Sequence, residues 1–169
     1  MSDDATKTTG DGLPEDEKLT FLCVIDRTEE MSRAVRFACL RARNANRRVA
    51  LLYVTEPAEF QHWMAIGERM REEAREEAEE MVQAVASVVQ RMTGKIPPIY
   101  IREGKVAEEL IKLIDEEQNI ALLVLGAATG TDGPGPLIET LVEKQAGRLR
   151  VPVTIVPGNL SDAQLDAIC

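Results

Sequence analysis

Residues 120–140 read Ile-Ala-Leu-Leu-Val-Leu-Gly-Ala-Ala-Thr-Gly-Thr-Asp-Gly-Pro-Gly-Pro-Leu-Ile-Glu-Thr. The first six are apolar without interruption, which fits a parallel strand covered on both faces. A loop with Gly126, Gly130, Gly133 and Gly135 follows, stiffened by Pro134 and Pro136, and a helical pattern starts at Leu137. A strand, a glycine loop and a helix start in that order favour an anion: glycine lets the backbone approach closely, and free N–H groups at the helix start point outward. The charges oppose that use. From Ala121 to Val142 there is no lysine or arginine, while Asp132 and Glu139 are acids.

The same alternation extends upstream. Thr20 to Ile25 is an apolar, β-prone run ending at Asp26, after which Thr28, Glu29 and Glu30 offer a helix cap and an acidic first turn. Met31, Ala34, Val35, Ala38 and Ala42 recur at helical spacing. Val49 to Val54 is a second strand, and a long helical pattern runs from about Phe60 to Met92. Its apolar side is Met70, Ala74, Ala78, Met81, Val85, Val88 and Met92. Gly94 and Pro97-Pro98 stop it, and Ile99 to Ile101 reads as a third strand. Val106, Leu110, Ile111 and Ile114 mark a third helix ending near Asn119.

Downstream, a helix over Leu137 to Leu149 and a strand over Val151 to Val156 complete the pattern, with Pro152 early in the strand, where a missing ladder N–H is tolerated. The expected fold is α/β: a five-stranded parallel, doubly wound, Rossmann-like sheet with helices on both faces. Residues 1–17, rich in Asp, Glu, Thr and Gly, are expected to be a disordered acidic tail, 18–157 the folded domain and 158–169 a C-terminal tail. In doubly wound sheets ligands bind at the carboxyl ends of the strands where the order reverses, which directs attention to Asp26 and the Gly126 loop.

Composition narrows the partners. The 169 residues carry a formal charge of −9, which argues against nucleic-acid backbones and anionic membranes. The sequence shows neither a membrane-length apolar run nor a basic, apolar leader, so the cytoplasm is the expected location. The three cysteines, Cys23, Cys39 and Cys169, have no C-x-x-C spacing; Cys23 and Cys39 read as packing residues and Cys169 as an exposed thiol. A single histidine, His62, gives no metal constellation.

Each candidate has a plainer alternative. Asp26 either contacts a ligand or caps the next element; Thr140 either donates to phosphate or bonds its own helix backbone. Phe60, His62 and Trp63 cluster after the second strand, as a lid or partner-binding patch, or as the seat of the long helix on the core. A catalytic reading finds little support: there is no G-x-S-x-G elbow and no Walker lysine, and Arg27-Thr28-Glu29-Glu30 stands where a phosphate loop would follow the first strand. A receiver-type signalling domain would need an acidic pair after the first strand and an aspartate after the third, where this chain has the lone Asp26 and Arg102-Glu103.

Five landmarks in order resemble the universal stress protein family over roughly Lys18 to Pro157. They are Val24-Ile25-Asp26, Leu51-Leu52-Tyr53-Val54, Gly104 before Val106-Ala107-Glu108-Glu109-Leu110-Ile111, Leu123-Val124-Leu125-Gly126, and Val151-Pro152-Val153-Thr154-Ile155-Val156. The resemblance implies a small cytosolic, non-enzymatic stress-response protein, with weak ATP hydrolysis at most. It also implies a homodimer, here through Val151–Val156, and division of the family into ATP binders and non-binders. In the binders the residues matching Asp26 and Val54 hold the adenosine, and the phosphate loop resembles Gly-x2-Gly-x9-Gly-Ser/Thr. Here Gly126 matches the first glycine, Thr129 stands at the second, Glu139 at the third, and Thr140 at the hydroxyl. Using Gly130 as the second glycine puts Thr140 at the third and Leu141 at the hydroxyl.

Those departures carry weight. A β-branched Thr129 is strained if its φ must be positive, and a carboxylate about 4 Å from a phosphate repels it by roughly 4 kcal/mol at an effective dielectric near 20. A micromolar affinity is only about 8 kcal/mol. Magnesium held by Glu139 or Asp132 would screen the repulsion. Two readings therefore stay open: a module switched by ATP or another adenine nucleotide with magnesium, and a nucleotide-free protein-interaction module with a partner patch at Phe60 and Trp63.

Overall fold

The computed structural model describes residues 19–56 and 67–169. The predicted helix start at Phe60, and the Phe60, His62 and Trp63 cluster, lie outside the described residues. Five strands form one sheet: β1 (Thr20–Val24), β2 (Arg48–Thr55), β3 (Ile99–Glu103), β4 (Ile120–Ala127) and β5 (Val153–Pro157). All neighbours are parallel, in the order β3-β2-β1-β4-β5. The helices are α1 (Glu30–Asn44), α2 (Glu68–Thr93), α3 (Val106–Glu116), α4 (Pro136–Thr140) and α5 (Asp162–Ile168). The expected doubly wound α/β fold is what forms.

Strand side chains alternate between two buried layers. Leu22, Leu52 and Leu123 pack with Leu110, Ile114, Ile138 and Leu141 on the α3 and α4 side. Cys23, Leu51 and Val124 pack with Ala38, Val82, Val89 and Leu165 on the α1, α2 and α5 side. With helices on both faces, central strands need no polar residue, which accounts for the unbroken apolar run of β4. β5 starts later than expected because Pro152 contributes only its carbonyl, which accepts from the Leu123 N–H at 3.0 Å.

Four boundaries differ from the sequence expectation. Met70 and Val88 are exposed, and the buried seam of α2 is Ala78, Val82, Ala86 and Val89. The helix expected over 137–149 is regular only through Thr140 and continues as a π turn (Leu141–Gln145) and a 3₁₀ turn (Ala146–Arg148). Thr28 does not cap α1: its N–H and hydroxyl both go to Asp26, and the N-cap is Glu29 with no side-chain cap bond. Finally, residues 158–169, expected as a tail, contain α5.

That last helix follows local rules. Ser161 accepts from the Gln164 N–H at 3.1 Å while the Gln164 side chain accepts from the Ser161 N–H at 2.8 Å, a full capping box. Leu160 before the cap and Leu165 after it join the same core layer, and Leu165 is fully buried. Arg33 and Arg36 of α1 reach Asp162 and Asp166 at 2.5 and 2.8 Å. Cys23 and Cys39 are buried as expected, whereas Cys169 is half-buried against α1 instead of free in solvent.

Candidate functional site

From β1 the chain steps outward through β2 to β3, then returns to lay β4 and β5 on the other side of β1. The order reverses between β1 and β4, so the crevice expected of this fold opens at their carboxyl ends. Register sets what meets there. Val24 pairs with Leu52 on one side, and Cys23 with Val124 on the other. Continued past these last pairs, the register sets Asp26 beside Val54 of β2 and the Gly126–Ala127 end of β4. The ends of β1, β2 and β4 thus lie along one edge of the sheet.

Their local chemistry is uneven. Asp26 is exposed, and its Oδ1 accepts from the Thr28 N–H at 2.9 Å and the Thr28 hydroxyl at 2.5 Å. Asp26 thus closes the turn at Thr28 without capping α1, and it uses one carboxylate oxygen and leaves the other. Val54 buries its side chain against the α3 layer, so only its backbone is available to a ligand. Thr129 and Gly130 are exposed in the loop, and Thr140 is half-buried at the end of α4. Thr129 has no positive φ, so the strain expected there does not arise; Asn46 is the one non-glycine residue with positive φ among those described.

The glycines tell most. A Cβ built on Gly126 would lie 2.4 Å from the Glu30 carbonyl oxygen and 2.6 Å from its carbon. The first turn of α1 thus rests on the bare Cα of Gly126. Gly158, just past β5, is pressed against the same residue, its Cβ position 2.7 Å from the Glu30 Cβ. Gly133 has φ +88° and holds the Glu139 carboxylate, with Oε1 2.6 Å from where its Cβ would be. Gly130 meets nothing within 4 Å. The loop is tied back by the Ala128 N–H, which donates to the Pro134 carbonyl at 3.1 Å.

The implied cofactor can be tested on these contacts. The nucleoside end fits: Asp26 offers a carboxylate oxygen and the end of β2 offers backbone. The polyphosphate end does not, because the loop carries Asp132 and Glu139 while no cation lies between Ala121 and Val142, and Gly126 is taken up in packing β4 on the first turn of α1. Among the described residues no group of three or more His, Cys, Asp or Glu side chains is arranged for a metal ion; Asp132 and Glu139 belong to none. Sequence reasoning missed Glu30 and Gly133. No pattern in the sequence marks Glu30, whose contribution is a main-chain carbonyl, whereas the Gly-Pro-Gly around Gly133 did signal a special turn.

A cavity of about 780 Å³ adjoins the crevice through Arg27, between the ends of β2 and β3 and the early turns of α2. Tyr53 and Ile101 lie along it with Arg71, Arg75, Glu77 and Glu103, a lining of balanced charge. No helix among the described residues is long and apolar enough to cross a membrane.

Comparison with known proteins agrees with the geometry. A search of curated proteins gives no match. Among solved structures, the hypothetical protein MJ0577 superposes with a TM-score of 0.68 at 18% identity, covering 86% of this chain and 99% of that one. Universal stress protein UspA from Lactobacillus plantarum gives 0.63 at 19%, covering 82% and 97%. A universal stress protein from Archaeoglobus fulgidus, solved in complex with dAMP, gives 0.52 at 16%, covering 82% and 97%. At these identities the likeness is one of fold. The sequence model of the universal stress protein family matches residues 19–157, nearly the whole described domain, and the chain belongs to that family.

Proposed function

We propose that this protein is a non-enzymatic, cytoplasmic stress-response module that acts by binding, as a homodimer whose crevice takes the nucleoside end of an adenine nucleotide. The supporting observation is the strand register, which, continued past the end of β1, sets Asp26 beside Val54 and the Gly126 end of β4 where strand order reverses. A family relative solved with dAMP supports the ligand class. The groups along this edge are a carboxylate and main chain, a set suited to holding a ligand. Magnesium has no share in this reading.

Dimerisation through β5 is supported by its place at the sheet edge, where one side of the strand has no strand neighbour among the described residues. Ile155 on β5 and Val142 beside α4 are 42% and 60% exposed, apolar surface that a second copy would cover. Calorimetric titration with adenosine and light scattering at tens of micromolar test the two halves separately. The nucleotide-free interaction module is the second reading, favoured by the acidic loop without a cation; absence of any adenosine heat in a folded dimer selects it.

A further inference from the structure

We infer that the charge of the glycine loop disfavours polyphosphate, with Glu139 as the residue that decides which adenine nucleotides enter. This deepens the binding function proposed above and rests on it. The loop has the outline of an anion cradle, but the charge it carries has the wrong sign. The Glu139 carboxylate lies against Gly133, its Oε1 2.6 Å from the position a Cβ would take. Gly133 holds φ +88°, a conformation that L side chains rarely adopt, so the residue type and the carboxylate position support each other.

An entering phosphate would meet a negative charge with no lysine or arginine in the loop to offset it. Each added phosphate charge increases the repulsion, while the nucleoside end at Asp26 and Val54 is unaffected. The crevice therefore selects adenosine and adenosine monophosphate over ATP.

The test is calorimetric titration of adenosine, AMP and ATP, without magnesium, into the wild-type protein and into Glu139→Gln, which keeps the side-chain shape and removes the charge. Glu139 is exposed, so the variant keeps its fold, checked by circular dichroism. The expected result is ATP binding at least tenfold weaker than AMP in the wild type, with that gap closing by at least tenfold in Glu139→Gln. Wild-type ATP binding as tight as AMP, or an unchanged gap in the variant, overturns the inference while leaving the nucleoside site standing. No adenosine binding to either protein removes the nucleoside site itself, and the inference with it.

Discussion

Replacing Gly126 by alanine separates a packing glycine from a ligand glycine. The added Cβ would stand 2.6 Å from the Glu30 carbonyl carbon, where unstrained carbons keep about 3.5 Å. Either β4 or the first turn of α1 must yield by nearly 1 Å. Neither moves easily. β4 is hydrogen-bonded between β1 and β5, and α1 packs on the sheet, on α2 and on α5, carrying the fully buried Ala38, Cys39 and Ala42. The obstacle is backbone, so no rotamer change relieves it. Overpacking of this kind costs about 1–3 kcal/mol, and a main-chain clash belongs at the upper end. At roughly 2–4 °C per kcal/mol for a domain of this size, the melting temperature should fall by about 6–12 °C without ligand. Gly130→Ala is the control: its Cβ meets nothing within 4 Å and its φ is ordinary, so the change is neutral or stabilising by about 0.4–1 kcal/mol. Thermal and urea unfolding of both variants measure this. A Gly126→Ala protein as stable as the wild type would show that Glu30 does not rest on Gly126, and the packing account of the loop would fall.

Other predictions follow from the remaining contacts. The Arg33 hydrogen bond, and then the Arg36 charge, hold the Asp162 carboxyl below its ordinary range, so their support is present above the unfolded value of about 3.9 and lost as pH falls through the depressed folded one. The melting temperature of Asp162→Asn should therefore lie below the wild type at neutral pH and converge with it on acidification; a constant difference contradicts the assignment. Leu165→Ala, emptying a fully buried site under α5, should cost about 2–4 kcal/mol in urea unfolding, against at most about 1 kcal/mol for Asp166→Ala on the surface. Burial raises all three thiols, Cys39 to about 12, but only Cys169 is partly exposed, so a thiol reagent near neutral pH should modify Cys169 alone, and slowly, until the protein unfolds. Ile155→Lys should give a monomer in light scattering if β5 is the dimer seam; a dimer that persists moves the seam elsewhere.

The fold was legible because each strand is a short apolar run closed by Asp, Gly or Pro, and each helix repeats its apolar residues at 3.6. Boundaries slipped where the deciding force was not a period. The π turn after Thr140 has no sequence mark that we can identify. The last helix was marked, by Ser161 and Gln164 with Leu160 and Leu165 around them, but the expected domain stopped at the fifth strand. At the site, Asp26 and Gly126 could be placed from strand ends alone. What lies against the glycines could not, since Glu30 meets Gly126 through a carbonyl supplied by every residue type and Glu139 meets Gly133 by folding back.

Titration of adenosine into the wild type and into Asp26→Ala tests the central claim most directly. A charged hydrogen bond is worth about 1.5–3 kcal/mol, so the account predicts adenosine binding that weakens by about ten- to hundredfold in the variant. Equal affinity in the two proteins, or no binding to the wild type, would contradict it.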